Sequence, residues 1–178
     1  MPVKWATAET FRRITDEQLR PIISVLIGIE WPCPASRIPV IMGQLGWVFT
    51  SDWVDVHADT RLPFNYAVGS FSRPHGQLRR LGFPASDSVN KSDLVALKAV
   101  RDAFPLAVRD VETILGPLSY SGDCGSLSAA WDLESGGRIR LDGSGIGLDA
   151  CLLARDLADA ERFEETHDMS EFYDDEDE

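Results

Sequence analysis

The residue types best suited to chemistry in this chain stand at Asp55, His57 and Asp59. Alternate side chains of a strand share a face. A strand over Trp53 to Ala58 therefore sets Trp53, Asp55, His57 and Asp59 on one side and Val54, Val56 and Ala58 on the other. A carboxylate beside an imidazole can orient it for proton transfer, and two carboxylates with a histidine can hold a cation. No second histidine follows nearby, and the same alternation suits an ordinary solvated strand face. The favoured reading is contact with a partner or with water.

The other reactive residue types lack the company their chemistry needs. Gly143, Gly145 and Gly147 surround Ser144 and Ile146 without the lysine of a phosphate loop or the strand-to-helix setting of a dinucleotide fingerprint. Ser126 and Ser128 have no base partner in the sequence, whereas a serine nucleophile needs a placed base and oxyanion donors. Cys33, Cys124 and Cys151 are odd in number and lack metal-pair spacing, the pattern of reduced thiols in a cytoplasmic protein. Arg138 and Arg140 fall on the polar side of a strand and are expected to pair with Asp132 and Glu134; nucleic-acid binding would require a continuous positive face. The expectation is a chain with no catalytic residues, cofactor or metal, acting by contact.

The scaffold is clearest from Leu127 to Leu153. Leu127, Ala129, Trp131 and Leu133 recur with period two, Glu134 to Gly137 break the run, and Ile139 and Leu141 resume it. Asp142-Gly143-Ser144-Gly145 precedes a third alternating run through Ile146, Leu148, Ala150 and Leu152. Upstream, Thr15 and Gln18 form a capping box for a helix over 16–28, and Ser36 is placed to cap a short helix ending at Gly46. Strands are expected at Trp47 to Phe49, Trp53 to Ala58 and Asn65 to Phe71. Arg73 to Pro84 reads as an irregular basic stretch. The chain turns helical again from Ser92; Pro105 places the start of the clearest segment close to Arg101, with Phe104, Val108, Val111, Ile114 and Leu115 as its apolar stripe, and a last helix follows over Arg155 to Glu165. The order predicts an α+β fold of antiparallel sheet covered by helices. Leu45-Gly46 and Leu115-Gly116, each between a helix and strands, raise two similar helix-plus-sheet halves.

At 178 residues with 44% apolar and 9% aromatic content, the chain supports one substantial core. Its net charge of -12 is unevenly placed: from Ala154 onward there are 12 acidic and 2 basic residues, whereas the preceding 153 residues are nearly balanced. Residues 1–166 are read as one compact domain and 167–178 as an acidic flexible tail. Such an end repels phosphate backbones and steers basic partners, which disfavours nucleic acid. No apolar run is long enough for a leader or a membrane span, so a cytoplasmic location is expected.

Trp131-Asp132-Leu133, Gly136-Gly137-Arg138-Ile139-Arg140-Leu141 and Ala158-Asp159-Ala160-Glu161-Arg162 resemble a family of small actinobacterial proteins, a likeness extending to Leu45-Gly46-Trp47 and Arg101-Asp102-Ala103-Phe104. Some such proteins are immunity factors encoded beside secreted toxins. In size and expected compartment the chain is similar to the cytosolic inhibitor of the tuberculosis necrotizing toxin, an NAD-degrading enzyme. The resemblance implies a non-enzymatic protein that covers the active region of a cognate toxin. The contact candidates are Trp53, Asp55 and Asp59 together with Glu161, Glu164 and Glu165. A chaperone-like adaptor for a secreted partner is the alternative, with a small-molecule enzyme behind it.

Overall fold

The computed structural model describes residues 4–122 and 127–167. Ser126, Cys124 and the acidic stretch 168–178, with its Phe172 and Tyr173, lie outside the described residues.

Two antiparallel meanders, each preceded by a helix, build the molecule. The first half contains α1 (Asp16–Ile27), a two-residue strand β1 (Cys33–Pro34), α2 (Ile38–Leu45) and the strands β2 (Val48–Asp52), β3 (Val56–Asp59), β4 (Val68–Ser72), β5 (Gln77–Leu78) and β6 (Arg80–Pro84). The second contains α3 (Leu94–Leu115), β7 (Tyr120–Ser121), β8 (Ser128–Asp132), β9 (Arg138–Asp142), β10 (Asp149–Leu153) and α4 (Arg155–Thr166). The main sheet runs β2-β3-β4-β6-β10-β9-β8-β7, while β1 and β5 form a separate pair. The last strands of the two meanders, β6 and β10, meet at the centre with Leu81 opposite Leu152 and Gly82 opposite Cys151. The architecture is α+β, and its strand order has the mirrored form that two similar halves produce.

Register makes one sheet face the core. Val56, Phe71, Leu81, Leu152, Ile139 and Trp131 stand opposite one another in a row across six strands, and all six are buried. Side-chain alternation sends their neighbours to the other face. Helices α1 and α3 pack together and supply the apolar cover. Thr15 Oγ1 accepts from the Gln18 amide at 3.3 Å while Gln18 Oε1 accepts from the Thr15 amide at 2.9 Å, completing the expected capping box.

Several local expectations are corrected. Arg73 to Pro84 holds β5 and the central strand β6; Pro74, Gly76, Gly82 and Pro84 mask an alternation in which Leu81 and Phe83 point inward. Helix α3 starts at Leu94, where the Asp93 carboxylate caps the Ala96 amide at 3.0 Å, and Pro105 lies inside it. Its fully covered side is Ala96, Val100, Ala103, Ala107 and Val111, so small residues set a close approach while Phe104, Val108, Ile114 and Leu115 pack at its margin. Ser36 belongs to a short 3-10 turn over Ala35–Arg37 and caps nothing.

Opposite the core face, α4 lies over the second meander and reaches the first where Asp156 pairs with Arg79 at 2.6 Å. The helix buries a single residue, Ala158, and is fixed mainly by charge. Arg138, 1% exposed, donates to Asp132, Glu161 and Glu165; Arg140 donates to Asp142 and Glu161; and Arg162 reaches Asp132 at 2.6 Å. The expected Arg138–Asp132 pair therefore forms, inside a larger network. The buried carboxylate of Asp87 pins the segment around Arg12 to the body. It accepts from the Arg12 amide at 2.9 Å, from Arg12 Nε and Nη2, and from the Asn65 amide at 2.8 Å.

Candidate partner-binding surface

The acid–histidine cluster is divided by the way the β2–β3 hairpin turns. Trp53, Val54 and Asp55 lie in the turn between the strands, and the Trp53 amide donates to the Asp55 carbonyl at 3.2 Å. The expected strand over Trp53 to Ala58 thus shortens to Val56–Asp59, which separates Asp55 from the face shared by His57 and Asp59. Asp59 turns away from the imidazole: its Oδ1 accepts from the Arg61 amide at 2.8 Å and its Oδ2 lies 3.7 Å from Arg61 Nε. His57 Nδ1 instead faces Ser51 Oγ at 3.4 Å. Among the described residues no group of three or more His, Cys, Asp or Glu side chains is placed to hold a metal ion.

What the hairpin offers is apolar surface. Trp53 is 89% exposed and Val54 85%, with Val48 and Phe49 half exposed along the strand behind them. β2 is the first strand of the main sheet and, among the described residues, pairs only with β3, so the hydrogen-bonding groups on its other side meet no described strand. A slip of register between Phe49 and Ser51 sends Phe49 and Asp52 to the α2 side, opposite Ala58 and Val56, and Ser51 to the other side opposite His57.

Between α2 and this strand runs a groove of about 580 Å³ lined by Ile38, Pro39, Met42, Trp47, Phe49 and Val56, and bounded by Asp52 and Arg73. Those last two form an ion pair across the groove. Trp47, edge-on to Phe71 at 5.9 Å and Phe83 at 5.8 Å, anchors the floor. Its position depends on Gly69, where a Cβ would come within 2.8 Å of the indole. The groove is not legible in sequence because Phe49 reads as part of an ordinary strand; the one local signal is the apolar Val48-Phe49 followed so closely by Trp53-Val54.

The remaining contact candidates lie elsewhere. Glu161 and Glu165 are engaged with Arg138 and Arg140 inside the α4 network, and only Glu164 of the three glutamates forms no ion pair among the described residues. β2 and β9 are five strand spacings apart in the sheet order, roughly 24 Å at the usual interval. The hairpin and the acidic helix are therefore separate surfaces.

Two further places hold a cysteine thiol within the body of the protein. A cavity of about 720 Å³ between the end of α1 and α2 is lined by Ser24, Glu30, Cys33, Arg37 and Gln44 among others. Burial pushes the Cys33 thiol up despite the opposing charge of Arg37, so the thiolate is disfavoured. Cys151, buried on the α4-side face of the sheet, is also pushed up by burial, against the pull of Arg140 and Arg80. Both are poor nucleophiles at neutral pH. The glycines have packing reasons: a Cβ at Gly143 would meet Phe104 at 2.7 Å, and one at Gly147 the Asp87 carbonyl at 2.9 Å.

Comparison with curated proteins and with solved structures finds no match. A family profile described as a family of unknown function, DUF6301, matches residues 17–150. That span takes in α1, the hairpin, the groove and the joined meanders as far as the start of β10. With most of its length matched, the chain belongs to the DUF6301 family.

Proposed function

We propose that this protein is a non-enzymatic inhibitor that binds a cognate toxin in the cytoplasm, with the β2–β3 hairpin as its docking element. The observation that carries the reading is the almost complete exposure of Trp53 and Val54 at the tip of a hairpin whose outer strand has no further strand neighbour among the described residues. A protruding tryptophan is a costly thing to leave in water: burying an aromatic removes roughly 150–250 Å² of surface, and interface hot spots are enriched in Trp. Asp55, beside this anchor in the turn, favours a basic rim on the partner, whereas Asp59 lies at the other end of β3 opposite Val48. An NAD-degrading toxin is the first class to test, on the strength of the resemblance drawn from the sequence.

A chaperone-like adaptor is the second reading, and the groove beside β2 favours it because a groove next to a free strand suits an extended segment. Coexpression with the product of the neighbouring gene separates the two. The inhibitor reading expects a complex with the folded catalytic domain and rescue of growth. Changing Trp53→Ala together with Val54→Ser should weaken that complex by about a hundredfold, a hot-spot-sized loss, while Glu164→Gln leaves it unchanged. Full rescue by the hairpin variant contradicts the proposal. Binding only to an unfolded or targeting segment transfers the case to the adaptor.

A further inference from the structure

We infer that the free edge of β2 and the groove beneath it receive an extended cationic segment of the partner, apolar at alternate residues, as an added strand. This deepens the inhibitor reading and rests on its hairpin as the docking element. Backbone geometry supplies the first argument. The five residues of β2 are all exposed and, among the described residues, are paired with a strand on one side only. An incoming strand can complete that ladder, and its alternating side chains then fall on two sides. On one side lies the apolar groove, with Ile38, Met42, Trp47 and Phe49. On the other stand Ser51, His57 and Asp59.

Charge supplies the second argument and selects the occupant. From Val48 to Asp59 the hairpin carries Asp52, Asp55 and Asp59 and no lysine or arginine. Asp52 is paired with Arg73 and Asp59 with Arg61, whereas Asp55 has no ion-pair partner among the described residues. A second copy brings no cation to Asp55, because its own hairpin has no lysine or arginine between Val48 and Asp59. The irregularity between Phe49 and Ser51 also disturbs regular self-pairing. Lysine or arginine where the incoming strand passes the turn meets the unpaired Asp55, and valine or leucine on the inward positions fills the groove.

The probe is a synthetic peptide of about seven residues alternating valine and lysine, capped at both ends and long enough to span β2. Its controls are the same peptide with glutamate for lysine and one with a central proline, which removes a ladder donor. The lysine peptide is expected to bind at least about tenfold more tightly than either control and to slow amide exchange within Val48–Asp52. Asp55→Lys is expected to reverse the preference between the lysine and glutamate peptides, and Phe49→Glu to abolish binding of the lysine peptide.

Equal binding of all three peptides, or slowed exchange away from β2, overturns the inference. So does a dimer of the unbound protein in light scattering that Phe49→Glu dissolves, since β2 then pairs with itself. If the peptides fail while the Trp53 and Val54 substitutions still weaken toxin binding, the hairpin docks without strand addition. If the peptides bind and those substitutions do not touch the toxin complex, the groove has another client and the inhibitor reading fails alone.

Discussion

Replacing Arg138 with methionine keeps most of the stem's volume and removes the guanidinium that joins α4 to the sheet. In the native protein burial works against that charge, and the hydrogen bonds of Glu165 and Asp132 more than reverse it, raising the Arg138 pKa. Removing one partner of a buried ion pair costs about 3–5 kcal/mol because the other is left uncompensated. Here Glu165 and Glu161 retain about a fifth of their exposure and Asp132 over a third, so the stranded carboxylates can partly rehydrate. The expected loss is therefore about 3 kcal/mol, and at about 2–4 °C per kcal/mol for a chain of this size the midpoint falls by roughly 6–12 °C. α4 is expected to respond first, since Ala158 alone is buried along it.

The assay is urea and thermal unfolding followed by circular dichroism, repeated across pH. Burial pushes the Asp132 carboxyl up, but hydrogen bonds and charges from Arg138 and Arg162 outweigh it and hold the group below its usual range. A carboxylate with a lowered folded pKa contributes stability that is complete above its unfolded value, about 3.9, and is lost as pH falls through the folded value. Wild type should therefore lose more stability than Arg138→Met between neutral pH and about pH 3. A variant within about 0.5 kcal/mol of wild type at pH 7, the range of an ordinary surface change, with the same acid limb, would refute the claim that this network holds α4.

Two further outcomes follow from packing. Gly69→Ala places a methyl against Trp47 and should cost about 1–3 kcal/mol by overpacking; near-UV dichroism should register the displaced indole, and an unchanged urea midpoint contradicts the contact. In a Cys124→Ser background the thiols of Cys33 and Cys151, both buried and shifted toward the protonated form, should react with a thiol reagent only as fast as the protein opens. Rapid native-state labelling of either contradicts its burial.

The second half was the more legible in sequence because its strands alternate strictly and its turns are marked by glycine. Trp131, Ile139, Leu141 and Leu152 predicted a core face, and all four are buried. The first half conceals its centre. β6 is five residues long and contains both Gly82 and Pro84, and its pairing with β10 joins positions almost seventy residues apart, a relation no local window carries. Helical character from Ser92 is legible, but Pro105 hides that Leu94 to Leu115 is one continuous helix, with good helix formers from Leu94 to Ala103 ahead of the proline. The site was half visible. Trp53, Asp55 and Asp59 were picked as contacts from their alternation, yet Trp53 and Asp55 belong to a turn and their accessibility comes from the tip they occupy. Glu161 and Glu165 were chosen for charge alone, and their arginine partners lie over twenty residues upstream on a different element.

The docking element itself can be located by hydrogen exchange on the protein alone and in complex with the product of the neighbouring gene. Slowed exchange concentrated in residues 48–59, with α4 unchanged, is the predicted pattern. Protection confined to α4 and β8–β9, with the hairpin exchanging as it does in the free protein, would contradict the assignment of this surface.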